Sequence, residues 1–369
     1  MSRFIQLHLL TSYPPSNLNR DDLGRPKTAV MGGKTRLRIS SQSLKRAWRM
    51  SDVFEKALGD HIGTRTKRMG LKIYNSLLEK GVSERNAMDW AKKIANVFGK
   101  LGEHTKKEKE DIATLPEDKR KKKELEELEI KQLAHFSPEE ENAINALIGK
   151  LVRGSNGPDE DDLTLLTKKQ SAVDISMFGR MLADSPVYNI EAAVQVAHAI
   201  TVHEVAVEDD YFTAVDDLNE GEEDMGAGHI GETEFAAGVY YLYVCINKEL
   251  LMENLNGNKE LTDKAVAALV EAAAKVAPTG KQNSFASRAY ASYIMVEKGN
   301  QQPRSLSVAY LKPVRGDNGS GVMAVAIREM EENRSRMEKV YGPCADDCKS
   351  MNAEAGKGNL EEIINFTKE

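Results

Sequence analysis

The chain has 369 residues, 51 Lys+Arg against 57 Asp+Glu for a formal net charge of −6, 41% hydrophobic residues and three cysteines. That length carries two ordinary domains, or one domain with large insertions, and a substantial core. Size and an odd cysteine count exclude a disulfide-stapled scaffold, and apolar runs well below about 18 residues exclude a membrane-spanning helix.

In chain order, Met1-Ser2-Arg3 lead into residues 4–11, a run too short and polar for a secretory leader. It is expected to be a buried strand in a protein of the reducing cytoplasm. Residues 12–22 are expected to form a Pro/Ser/Asn-rich loop ending in Asp21-Asp22. Between Leu23 and Ser51 stand eight basic side chains and no acidic one: Arg25, Lys27, Lys34, Arg36, Arg38, Lys45, Arg46 and Arg49. Without these eight the rest of the chain carries about −14, so a concentrated positive strip sits on a negative body, as an oriented polyanion site requires. Residues 36–39 alternate as a strand, with Leu37 and Ile39 on one face and Arg36 and Arg38 on the other. Ser40-Ser41 then offers an N-cap for a helix over 42–58, its Leu44, Ala47, Trp48 and Phe54 facing a core and Lys45, Arg46 and Arg49 outside.

Composition changes over residues 52–168 to charged Ala/Leu/Lys/Glu-rich helix with turn signals at Gly81, Pro116, Pro138 and the 154–158 break, which reads as a helical insertion. Within it, Lys119 to Lys123 followed by four glutamates is a solvent-facing helix or a secondary nucleic-acid contact. Further on, the pattern predicts a helix over 191–203, a strand over 238–246, a helix over 263–276 and a strand over 292–296. The order is that of an α+β domain interrupted by a helical segment. Residues 208–235 have an acidic, glycine-rich centre (Gly221, Gly226, Gly228, Gly231) bounded by aromatics, the composition of an extended hairpin or arm. Tyr211 and Phe212 on it serve either packing or base stacking.

Several other constellations carry weaker signals. Gly32-Gly33-Lys34-Thr35 resembles the end of a phosphate-binding nucleotide loop, but Thr28 stands where the earlier glycine belongs and the lysine leads into a strand. Cys344 and Cys348 have no second pair or nearby His to complete a zinc set. His198 and His203, five apart on the expected helix, do not share a face as metal ligands would. Asp21 and Asp22 are a carboxylate pair beside Arg20. Alone they lack the further ligands of metal-assisted cleavage and read as neutralising partners of nearby arginines.

Taken together, residues 17–22, Gly32-Gly-Lys34, Arg38-Ile-Ser-Ser-Gln-Ser-Leu-Lys-Arg46, Gly179-Arg-Met181, Ala197-His-Ala-Ile-Thr201 and Phe212-Thr-Ala-Val-Asp-Asp-Leu218 closely resemble the CasC family. These are the CRISPR RNA-binding backbone subunits of the type I-E Cascade surveillance complex. The likeness runs through roughly the first 300 residues and weakens in the last seventy. It implies an α+β fold with an RNA-recognition-motif-like (ferredoxin-like) palm, formed by residues 1–51, 169–204 and 236–369. A helical finger at 52–168 and a thumb β-hairpin at 205–235 would be inserted in it. By the same resemblance Lys27, Ser40, Gln42, Lys45, Arg46 and Arg49 would hold RNA phosphates, supported by Arg20 and Lys34. Tyr211, Phe212 and Thr213, with Met181 of the palm, would wedge against the RNA between successive subunits; a relative carries Trp where this chain has Tyr211.

The implied role is non-catalytic, with no cofactor. Copies line the guide spacer in antiviral defence, alongside other Cascade subunits, target DNA and a recruited helicase-nuclease. Phosphate contacts give affinity without sequence preference, and base pairing reads the target. The strands lack the aromatic signature of ordinary RNA-recognition motifs, so bases are not expected to stack on the sheet face. Two other classes compete with this one: a metal-dependent ribonuclease using Asp21 or Asp22, as in related type III backbone subunits, and a protein-interaction subunit whose basic face binds an acidic partner.

Overall fold

The long first strand is buried on both sides from Ile5 to Leu10 because it lies inside a sheet, with a neighbour on each edge. The structure, a computed structural model, describes residues 2–154, 156–214, 229–316 and 319–368. The strands are β1 (Phe4–Ser16), β2 (Thr28–Met31), β3 (Lys34–Ile39), β4 (Thr64–Thr66), β5 (Ala134–Phe136), β6 (Val194–Val196), β7 (Ala199–Thr201), β8 (Glu208–Ala214), β9 (His229–Asn247), β10 (Ala291–Gly299) and β11 (Asp347–Asn352). The helices used below are α1 (Ser41–Arg49), α2 (Asp52–Leu58), α3 (Met69–Glu79), α4 (Glu84–Asn96), α5 (Lys106–Ala113), α6 (Glu117–Glu124), α7 (Pro138–Gly154), α8 (Val173–Phe178), α9 (Lys248–Asn254), α10 (Lys259–Lys275), α11 (Gln282–Phe285), α12 (Val322–Tyr341) and α13 (Leu360–Lys368).

Two compact units emerge. The first comprises Met1–Ala57, Val194–Glu249 and Glu260–Glu369, and the second Leu58–Ala193 with Leu250–Lys259. The first unit is a mixed α+β structure whose antiparallel sheet runs β11-β10-β1-β9-β7-β3-β2, with β6 and β8 also on β9. Register is set by β1, which aligns Phe4 with Gly299 on one side and with Asn247 on the other. Helix α12 contributes Met323, Ala326, Ile327 and Met330 to a core with Leu10, Tyr241, Tyr293 and Tyr310.

Under the same helix lies a buried polar network. Glu297 accepts from both terminal nitrogens of Arg304 (2.6 and 3.0 Å), from Arg334 Nε (2.7 Å) and from His8 Nε2 (3.2 Å). These donors hold the Glu297 carboxyl well below the ordinary range against its burial. Burial keeps His8 neutral, with the Tyr241 hydroxyl 2.8 Å from its Nδ1. Tyr241 in turn accepts from the Leu306 amide at 3.0 Å, which fastens residues 304–306 to the sheet.

The second unit buries Ile73 and Leu77 of α3, Trp90 and Ile94 of α4, and Ile144, Ile148 and Leu151 of α7 around one core. A fully buried ion pair, Arg180 to Glu140 at 2.7 Å, ties α7 to the segment after α8. Helix α6 is exposed throughout, and three of its basic residues are paired: Lys121 with Glu84 (2.7 Å), Lys123 with Glu126 (3.0 Å) and Arg120 with Glu124 (4.0 Å). The helical insertion expected over 52–168 overlaps this unit, while Ser155 of the expected 154–158 break lies outside the described residues.

Three secondary-structure expectations are corrected. The loop over 12–22 starts only after Ser16, because β1 stays paired with β9, Ser12 opposite Val239, Tyr13 opposite Gly238 and Ser16 opposite Ala236. The helix over 42–58 is divided: Ser51 Oγ donates to the Trp48 carbonyl (2.6 Å) and accepts from the Phe54 amide (3.3 Å), so it ends one helix and caps the next. The helix over 191–203 is absent; β6 and β7 stand there instead, paired with β9. Val194, Val196 and Ile200 are β-branched, and an open edge of β9 decides for strand where periodicity alone allowed helix.

Candidate nucleic-acid interface

Strands β2 and β3 pair Met31 with Lys34 across a two-residue turn, and Gly32 and Gly33 both take positive φ (61° and 73°) as a type I′ hairpin demands. A Cβ on Gly32 would sit 1.7 Å from the Leu311 carbonyl oxygen, so the turn is pressed against backbone. Lys34 opens a strand, as expected, and the arrangement is a hairpin tip rather than a nucleotide loop. Its ammonium pairs with Glu204 at 3.1 Å.

Arg36 changes the count of the basic strip. Its side chain is fully buried, donating to the carbonyls of Thr201 (3.0 Å) and Tyr310 (2.9 Å), and burial lowers its pKa. It is a core strut, inaccessible to a polyanion. Arg38 is half-buried and donates to the Thr28 carbonyl (3.4 Å), with a terminal nitrogen 3.1 Å from His198 Nδ1. Partial burial, then the charges of Arg38 and Lys27, push the His198 imidazole below its ordinary value. Lys27, Arg38 and His198 thus share one patch, although His198 sits beside β7 and not on a helix. His203 packs differently, accepting from the Val239 amide at 3.1 Å.

Helix α1 begins at Ser40, whose Oγ accepts from the Ser43 amide (3.3 Å) and whose own amide donates to Asn19 Oδ1 (2.8 Å). Ser40 is buried and its hydroxyl serves the cap. The first turn carries no acidic residue, so its free amides and dipole present positive potential. Leu44 and Trp48 are buried. Gln42, Lys45 and Arg49, three and four apart, form one polar stripe, and Ser43, Arg46 and Met50 form the next. Lys45 and Arg49 are half-buried, and burial holds the Lys45 ammonium below the lysine range. Arg46 is exposed.

The loop before β2 explains the carboxylate pair. Asp21 Oδ1 accepts from the amides of Leu23 and Arg25 (both 2.9 Å), and Oδ2 from Arg25 Nε at 3.3 Å. The Arg25 amide is the largest cause that lowers its pKa. Asp21 is a turn-holding residue, and Asp22 next to it is exposed. Arg20 is exposed and bridges Pro26 through its backbone. The Lys27 amide donates to the Asn19 carbonyl at 2.8 Å, joining this loop to β2.

Strand β8 pairs with the first part of β9, from Glu208 opposite Phe235 to Ala214 opposite His229; the glycine-rich centre, 215–228, lies outside the described residues. Because successive side chains on a strand face opposite ways, Tyr211 and Thr213 share one face and Phe212 takes the other. The Phe212 ring lies across Gly231, where a Cβ would come within 2.3 Å of it. Tyr211 is 64% exposed. The base of the ladder is anchored by Asn17 Nδ2 on the Glu234 carbonyl (2.9 Å), Lys281 Nζ on Thr233 Oγ1 (2.9 Å) and the Phe235 and Phe285 rings 5.9 Å apart. Met181 belongs to the second unit, 77% exposed, following Arg180, whose backbone bridges Ile190. Arg20, Lys27, Lys34, Ser40, Gln42, Lys45, Arg46, Arg49 and the Tyr211–Thr213 strand all belong to the first unit, and of these Arg20 and Arg46 line one groove.

One contributor was not legible at all. The segment from Lys275 to Tyr290 closes a groove against α1 and residues 18–21, adding Arg288 and Tyr290 to its wall. An Arg-x-Tyr just before a strand, some 240 residues from the basic run, carries no local signal of that meeting.

Among the described residues, no helix is long and apolar enough to cross a membrane. No curated protein matches the chain. It is similar over 99% of both chains to a chain from a "CRISPR RNA-guided surveillance complex, pre-nicking", with 30% identity and a TM-score of 0.80. A chain from a second "CRISPR RNA-guided surveillance complex" shares the fold at TM-score 0.70 and 24% identity, again over 99% of each chain. Residues 5–367 match the CT1975-like protein family. With nearly its whole length inside that match, the chain belongs to the CT1975-like protein family.

Proposed function

We propose that this chain is a non-catalytic guide-RNA-binding backbone subunit of a CRISPR surveillance complex, of the type I-E kind that the CasC resemblance implies. Copies of it would line the spacer, in contact with other subunits, target DNA and a recruited helicase-nuclease. The observation that carries the reading is the α1 stripe of Gln42, Lys45 and Arg49 beside a Ser40-capped first turn free of acidic residues, with Lys27 and Arg38 nearby and no carboxylate on the helix. Such a surface grips phosphates and ignores base identity, as a subunit must when the spacer varies and the protein does not. On this reading residues 1–51, 169–204 and 236–369 are the palm, the β8–β9 ladder belongs to the thumb at 205–235, and residues 52–168 are the finger. Met181 of the palm would wedge against the RNA, as the resemblance implies. The engagement of both Asp21 oxygens inside its own loop supports a scaffold over a ribonuclease.

The test is co-purification. Wild-type particles should carry RNA of uniform length, and Lys45→Glu with Arg49→Glu should lose most of it at moderate salt. Equal RNA retention in that double variant contradicts the groove. Cleavage of complementary RNA with magnesium, abolished by Asp21→Ala or Asp22→Ala, would replace the scaffold role by the nuclease one.

A further inference from the structure

Beside the Lys45 stripe, α1 turns its second stripe into a groove of about 900 Å³. The groove is walled by residues 18–21, by Arg46 and Met50 of α1, and by the segment ending in Arg288 and Tyr290. Three guanidinium groups, those of Arg20, Arg46 and Arg288, line it, are exposed, and have no side-chain partner among the described residues. Two large apolar faces accompany them in water: Tyr290 is 68% exposed and Met50 62%. The groove also holds two carboxylates. Asp21 is occupied by its own loop, and Asp52 is the first residue of α2. Lys275 is paired with Glu271 at 2.7 Å.

The far wall is held in shape. Gln282 Nε2 donates to the Pro278 carbonyl (3.0 Å) and to Ser287 Oγ (3.2 Å), and Lys281 reaches Thr233 on the hairpin base. Lys281 and Ala286 bracket α11 in the left-handed region (φ 47° and 48°), a conformation L-residues keep only where surroundings impose it. Gly280 lies so close to Leu18 that a Cβ would stand 2.3 Å from its carbonyl oxygen. Arg288 and Tyr290 are thus presented by a pinned loop, ahead of β10. Three unpaired guanidiniums around an open aromatic ring match one ligand chemistry well: phosphates on the arginines and a base or ribose on the ring.

We infer that the single-stranded RNA path along α1 continues into this groove as a further subsite, in which Arg288 takes a phosphate beside Arg20 and Arg46 and Tyr290 stacks a nucleotide. It rests on the RNA reading of α1 and extends the path from the Lys45 face across the helix. Arg288, Tyr290 and Met50 thereby join the interface.

The experiment measures binding of the full chain to unstructured RNA across a salt series, with cross-linking to RNA carrying 4-thiouridine. Tyr290→Ala should weaken binding roughly tenfold to a hundredfold, the loss of one base–aromatic stack, at unchanged salt slope. Tyr290→Phe should bind as wild type, because the ring and not the hydroxyl is used. Arg288→Ala should flatten the log–log salt slope by about 0.7, one phosphate contact. The cross-linked peptide should contain Tyr290. Wild-type affinity and slope in both alanine variants, alongside loss of binding in Lys45→Glu with Arg49→Glu, overturns this subsite and leaves the α1 reading standing. If the α1 double variant binds RNA normally too, the underlying reading has failed and the subsite with it. Lost association between copies with RNA affinity intact would assign the groove to a protein partner and equally overturn the proposal.

Discussion

Arg36 and Arg49 are both arginines of one basic run, yet burial gives them different work. A guanidinium sealed between two carbonyls is a structural donor, while one on a half-buried helical stripe reaches the surface. Arg36→Ala leaves the Thr201 and Tyr310 carbonyls without donors and opens a cavity, so stability should fall by about 3 kcal/mol in chemical denaturation. The RNA salt slope of the folded fraction should not change. An Arg36→Ala protein as stable as wild type would contradict the assignment. The basic run itself was legible because its residues are contiguous and unmixed with acid. That one member is internal was not, since strand alternation assigns faces without saying that the backbone around Tyr310 covers the second face.

At the level of elements, the hairpin separates two aromatics that the sequence lists side by side. Phe212 rests on Gly231 and stiffens the ladder; Tyr211 faces away with Thr213. Phe212→Ala should therefore speed amide exchange over Glu208–Ala214, whereas Tyr211→Ala should leave exchange unchanged and disturb only the RNA path. The reverse pattern would reassign the two faces. The long strands β1, β9 and β10 were readable because their apolar runs are bounded by polar loops, and α10 because its spacing is regular. The stretch 191–203 was not readable, because its choice is made by the exposed edge of β9, a partner some 40 residues away. Ser51 escaped notice because a single cap inside an otherwise continuous helical pattern differs only in its hydrogen bonds.

For the whole molecule, the sheet of the first unit and α12 are joined through Glu297, on which His8, Arg304 and Arg334 converge. Its folded pKa is lowered, so its stabilising contribution is complete above the ordinary glutamate value of 4.5 and is lost as pH falls towards the folded value. His8, buried neutral with a lowered pKa, adds to acid destabilisation below 6.5, where the unfolded chain takes up its proton. Glu297→Gln should cost about 3–5 kcal/mol at neutral pH by leaving two arginines facing a neutral group. It should also weaken the pH dependence of unfolding below about 4.5. A variant with wild-type stability at pH 7 would show that the network is not what fastens α12.

The central claim is that the first unit holds RNA by its phosphates and leaves the bases unread. Its most direct measurement is the affinity of the full chain for several single-stranded RNAs of unrelated sequence, each followed through a salt series. Six phosphate contacts from Arg20, Lys27, Lys34, Lys45, Arg46 and Arg49, at about 0.7 each, predict one common log–log slope near −4 and affinities within a few-fold of each other. A slope near zero, or a preference of a hundredfold for one sequence, would contradict the account.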